Sequence, residues 1–125
     1  MVKPRIQHYS KFWKEVTYGG SSLIYQLAKD GSLPNTGVDY VEIKPETELK
    51  VHFHDSPTVL IFVLEGSGIA HLDGEEYQIK KGDVINIPPK TTHGFKTKEK
   101  KFIFLSIQTP PIYGKEAEKD THFIE

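Results

Sequence analysis

Cysteine is absent from the 125 residues. That excludes disulfides, thiolate metal ligation and a cysteine nucleophile. Long hydrophobic runs are lacking too. No stretch approaches the ~20 apolar residues of a membrane span, and the N-terminus carries no apolar signal core. A cytoplasmic protein with no membrane partner is expected. Nor is there an excess of positive charge: Lys and Arg number 16 against 17 Asp and Glu, a formal net charge of −1. The basic footprint of a nucleic-acid partner is therefore missing. Lys96, Lys98, Lys100 and Lys101 cluster, but Glu99 interrupts them, which suits a solvated strand end and turn better than a phosphate track. There is no nucleophile elbow, phosphate loop or dinucleotide fingerprint. "YGGSS" at 18–22 has two glycines without either spacing and reads as a flexible break.

What is present fits one globular domain, with 37% apolar and 26% charged residues and enough chain for its own core. "YSKFWKEV" predicts a short helix, with Ser10 as N-cap and Phe12, Trp13 and Val16 as its apolar side. From Leu23 onward short apolar or alternating runs are separated by turn residues. Strands are predicted near 23–29, 38–44, 48–54, 58–65, 68–73, 76–80, 83–87, 93–98 and 101–108. Asp73-Gly74 is a strong hairpin signal because a tight turn needs positive φ. "KKGD" at 80–83 marks another turn, and "PPK" at 88–90 interrupts pairing because proline has no N–H. Many short strands argue for an all-β sandwich or barrel. The expected organisation is an N-terminal arm or short helix over 1–22, a β-barrel over 23–110 and a C-terminal tail over 111–125.

Side-chain alternation divides the strands into faces. Lys50, His52 and His54 point one way, and Leu49, Val51 and Phe53 the other. Val59, Ile61 and Val63 share one face, with Leu60, Phe62 and Leu64 opposite. The stretch 102–107 is also apolar on both faces, with Ile103, Leu105 and Ile107 on one of them. A small barrel buries only its inner face, so the outer apolar faces need the N-terminal segment or a second subunit as cover. A homodimer is expected.

His-x-His at 52 and 54 places two imidazoles on one side of a strand, a partial metal site. These residues, with Gly66, Gly82, Pro88 and His93 in their spacing, resemble the two motifs of the cupin superfamily. The resemblance spans roughly residues 38–108. Glu46 stands in place of the first motif's initial glycine, Val59 in place of its carboxylate ligand, Lys90 in place of the second motif's glycine, and Thr97 in place of its asparagine. The resemblance implies a double-stranded β-helix, or jelly-roll barrel, with a metal inside, often assembled as a dimer. It also makes His93 the third ligand candidate beside His52 and His54. Three neutral imidazoles suit a divalent transition metal such as Fe, Zn, Ni, Mn or Cu and leave positions open for water or substrate. The plainer alternative is a set of remnant histidines in a metal-free barrel.

Val59, Ile61, His71, Phe95, Phe104 and Gln108 are candidates for a pocket holding a small-molecule ligand or substrate. His71 is a possible fourth ligand or substrate contact, against the plainer reading of a hydrogen-bonded strand histidine. His8 and His122, in terminal segments, are expected to be solvated. Among functions, a metal-dependent dioxygenase is favoured over a sugar or keto-acid isomerase. Isomerisation needs a base, and the motif strands offer no inward Glu or Lys. A non-catalytic binding module, with or without metal, is the alternative.

Overall fold

The computed structural model describes residues 4–112 and 120–124, so most of the expected C-terminal tail lies outside the described residues. The strands are β1 (Trp13–Thr17), β2 (Ser22–Gln26), β3 (Gly37–Ile43), β4 (Glu48–Phe53), β5 (Thr58–Leu72), β6 (Glu75–Lys80), β7 (Val84–Ile87), β8 (His93–Lys96), β9 (Phe102–Thr109) and β10 (His122–Phe123). All pairings among them are antiparallel. One sheet runs β1-β2-β3-β9-β5-β7, and a second runs β6-β5-β8-β4-β10. The long strand β5 belongs to both, so the two sheets curl into one half-open barrel, as expected for an all-β jelly roll. No helix among the described residues is long and apolar enough to cross a membrane.

The inner faces follow the predicted alternation. Val59, Ile61 and Val63 are buried with Val41, Ile43, Phe102 and Phe104, while Leu60 and Phe62 are exposed. The Asp73-Gly74 turn takes positive φ at both residues (51° and 91°), which matches the twist of the flanking strands.

Two expectations are corrected. The helix over 10–16 does not form. Tyr9–Lys11 make a single 3-10 turn, capped by His8 rather than Ser10, and Trp13–Thr17 is an edge strand on β2. Trp13 and Val16 find no surface to bury a helical face against and stay exposed. The segment gains a main-chain ladder instead, and Trp, Val and Thr suit a strand. The barrel sheet therefore begins within the expected arm. Secondly, 58–65 and 68–73 are one strand. Gly66, at φ 84°, bends it from one sheet into the other. A Cβ there would lie 2.0 Å from the Lys101 carbonyl oxygen, so only glycine permits the crossing.

Candidate metal centre

The turn at 88–90 carries the third histidine to the first two. Lys90 N–H donates to the His54 carbonyl at 2.7 Å, and Thr91 N–H to the Pro88 carbonyl at 3.3 Å. The chain then enters β8 with His93 directly opposite His52 on β4. At Gly94 the strands approach so closely that a Cβ would lie 2.9 Å from the Leu49 carbonyl oxygen. A ring nitrogen from each of His52, His54 and His93 lies within 4.8 Å of the others. His54 and His93 are buried and His52 half-buried.

Hydrogen bonds fix the state of each ring. Nδ1 of His52 faces the Lys50 carbonyl at 2.8 Å, Nδ1 of His54 the Asp120 carbonyl at 3.0 Å, and Nδ1 of His93 the Thr91 carbonyl at 3.0 Å. A carbonyl only accepts, so each Nδ1 carries the proton and each Nε2 keeps its lone pair. Burial lowers the pKa of all three imidazoles, His93 to about 4 with His52 adding to the effect. Three neutral rings with free Nε2 lone pairs, each oriented by a carbonyl, are the donor set a divalent transition metal takes.

The triad lines a cavity of about 800 Å³, which also takes in Val59, Ile61, Phe95, Phe104 and Gln108. His71 is not among the lining residues. On β5 it alternates with Ala70, which is fully buried, so it stands on the opposite face and outside the group formed by His52, His54 and His93. His122 is not merely solvated: it stacks on Phe53 at 4.9 Å.

A polar wall forms part of the same cavity, where Gln108 and Ser106 are joined by Gln26 and Asp39, two residues that sequence reasoning passed over. Gln26 on β2 is the direct neighbour of Asp39 on β3, and Asp39 of Ser106 on β9. Asp39 is 8% exposed, yet it carries a carboxyl group. Burial raises its pKa to about 7; Gln108 opposes the rise and Glu15 adds to it. Gln108 Nε2 donates to Asp39 Oδ2 at 3.1 Å and to Ser106 Oγ at 2.8 Å, and Gln26 Nε2 donates to Glu15 at 3.4 Å. The Gln108 amide donors are thus spent on protein acceptors. Asp39 Oδ1 and Gln26 Oε1 are buried without a hydrogen-bond partner among the described residues. The available signal was strand alternation, which puts Asp39 on the face of Val41 and Ile43.

The model of the cupin domain matches residues 39–107, more than half of the chain. The chain belongs to the cupin family. Solved structures agree on the fold. The polyketide cyclase RemF from Streptomyces resistomycificus matches at a TM-score of 0.79 and 22% identity, over 98% of this chain and 87% of that one. Ectoine synthase from P. lautus matches at 0.78 and 19%, over 98% and 91%. The nucleoside dehydratase Pac13 of Streptomyces matches at 0.75 and 15%, over 98% and 95%. In sequence, an uncharacterized protein of Methanocaldococcus jannaschii is 46% identical over 43 residues, a match covering 34% of each chain.

As a cupin, the chain departs from the family motifs at Glu46, Val59, Lys90 and Thr97. Glu46 and Lys90, at the two missing glycines, both hold left-handed backbone, with φ 55° and 66°. Thr97, in the asparagine position, donates to the Lys44 carbonyl at 2.6 Å and accepts from Thr47 N–H at 3.0 Å, tying the strand ends together. Val59 is 4% exposed and lines the cavity. The carboxylate's position therefore offers no ligand atom, which leaves His52, His54 and His93 as the group in this cavity that could hold a metal.

Proposed function

We propose that this cupin is a metal-dependent enzyme that acts on a small polar molecule by proton transfer, with His52, His54 and His93 as metal ligands and Asp39 as the proton-carrying residue. One observation supports this above all: a buried carboxyl, its pKa pushed up by burial, lines the same cavity as three neutral imidazoles. A group poised there accepts or gives a proton with little penalty. Gln108 Nε2–H occupies Asp39 Oδ2, so the mobile proton belongs on Oδ1. Asp39 Oδ1 and Gln26 Oε1 lack partners, and with Asp39 ionised a substrate bearing hydroxyl or amino donors at that end would satisfy both. Val59, Ile61, Phe95 and Phe104 line the cavity with apolar surface that takes the hydrocarbon part of the substrate and limits water. A divalent metal on the triad supplies Lewis-acid polarisation of a substrate oxygen.

The sequence favours oxygen chemistry because its motif strands offer no inward Glu or Lys as a base. Asp39 supplies one, and this moves the balance to acid–base reactions such as isomerisation, dehydration or ring closure. A polyketide cyclase and a nucleoside dehydratase among the similar structures are precedents on the same fold for the last two. The dioxygenase remains the second reading, favoured by a three-histidine set with Val59 at the carboxylate's position.

Anaerobic incubation with hydroxy acids, amino acids and polyols in deuterium oxide, with Zn(II) or Fe(II) loaded, tests the proposal. Product or deuterium exchange without oxygen is expected, falling by roughly 100-fold or more in Asp39→Asn at unchanged metal content. Turnover only in air, with oxygen consumed, would establish the dioxygenase instead. Ligand-dependent stabilisation without turnover would point to a binding module.

A further inference from the structure

Building on the reading of the triad as a metal centre, we propose that Asp120 is a positioning residue for it. Its carboxylate fastens the C-terminal strand to the loop after His54, and its main-chain carbonyl thereby fixes the His54 ring. Two of the three histidines are held locally. His52 and His93 each donate Nδ1–H to the carbonyl two residues upstream, so each brings its own anchor with its strand. His54 stands just past the end of β4, and its acceptor is 66 positions away. That bond exists only while the C-terminal segment is docked.

The docking contacts converge on Asp120. Its Oδ1 accepts from Asp55 N–H at 2.7 Å and its Oδ2 from Ser56 N–H at 3.1 Å. Beyond it, the two residues of β10 pair with β4, Phe123 opposite His52, and Ile124 N–H donates to the Val51 carbonyl at 3.1 Å. His122 Nε2 lies 3.1 Å from Asp55 Oδ2. The carboxylate therefore grips the backbone next to the histidine that the carbonyl orients. A two-residue strand has few ladder bonds of its own, so the paired N–H contacts carry much of the docking. An imidazole that loses its Nδ1 acceptor is free to turn, or to move its proton to Nε2, the nitrogen that must bind metal. Thr121 and Phe123 also line the cavity, so the same strand forms part of its wall.

Nitrogen-15 NMR of the histidine side chains, on the full-length metal-free protein, reads the tautomers directly, and chelator competition with Zn(II) reads affinity. In the wild type, His54 is expected as a single tautomer protonated on Nδ1. Asp120→Ala is expected to mix the His54 tautomers while leaving His52 and His93 unchanged, and to weaken zinc binding by roughly 10–100-fold. Asp120→Asn keeps one acceptor oxygen for the loop and should recover part of both, and it carries the test if the alanine variant does not fold. Asp55→Ala removes the contact to His122 but keeps the backbone N–H that Asp120 binds, and should behave as wild type. A folded Asp120→Ala protein with an unmixed His54 tautomer and zinc affinity within twofold of wild type would overturn the proposal. If the wild type binds no zinc, the metal reading of the triad fails, while the tautomer spectra still decide the role of Asp120.

Discussion

Asp39 is a carboxyl group in the wrong solvent, and its burial makes folding depend on pH. Burial raises its pKa from 3.8 to about 7. Between those values the folded protein holds a proton that the unfolded chain has released. The contribution of Asp39 to stability is therefore full below pH 4 and is lost as pH rises through 7, a change on the order of 4 kcal/mol. The three histidines act in the opposite sense, since their folded pKa values are lowered, so wild type alone does not isolate the effect. Asp39→Asn, neutral at every pH, does. Relative to wild type, its unfolding free energy should rise between pH 4 and pH 8, and denaturant titrations at the two pH values check this. Equal differences at both would mean that Asp39 is ionised throughout. At Lys90 and Glu46 the backbone is left-handed, which costs a residue with a Cβ about 1–2 kcal/mol. Lys90→Gly should raise stability by about 0.5–1 kcal/mol after the added entropy of the unfolded chain, measurable in the same titrations. The histidine triad was legible because the motif spacing carries it. Asp39 was less so: strand alternation put it on the core face, but its partner Gln108 lies 69 positions away, and no local pattern reports that pairing.

At the scale of elements, β5 decides the architecture, because one strand serves both sheets through the bend at Gly66. Gly66→Ala would put a Cβ against the Lys101 carbonyl at a φ that side chains rarely adopt. A loss of about 3 kcal/mol or more is expected, with the melting temperature as the measurement. A loss below 1 kcal/mol would mean the two sheets can shift apart without cost. Most strands were legible from alternation and turn residues, since a core-facing strand must alternate. The exceptions lie at the sheet edges. β1 has no buried face to impose a period, and its Trp13 and Val16, with Phe12 just before it, fit a helical spacing equally well. β10 is two residues long and is defined only by its distant partner β4. Nothing local marks it as a neighbour of the candidate metal centre.

At the scale of the molecule, the outer face of the β-sheet remains partly bare. Tyr9 stacks on Tyr40 at 4.0 Å and meets Tyr25 edge-on at 5.1 Å, so the N-terminal segment covers the β2–β3 end. Leu60, Phe62 and Val84 stay exposed, with Phe62 paired beside Val84 and Leu105. A second copy of the chain is the proposed cover, and Phe62→Lys should convert a dimer to a monomer in sedimentation at micromolar concentration. A wild-type monomer under those conditions would contradict it.

Binding of one metal ion by His52, His54 and His93 together underlies the proposed function. Its most direct measurement is metal stoichiometry. The wild type and His93→Ala are each loaded with Fe(II), Zn(II), Ni(II), Mn(II) or Cu(II), dialysed and assayed for bound metal. At least one of these ions should be retained at one per chain by the wild type and lost from the variant, since two imidazoles do not make a closed site. No retained metal in the wild type, or equal retention in both proteins, would contradict the account.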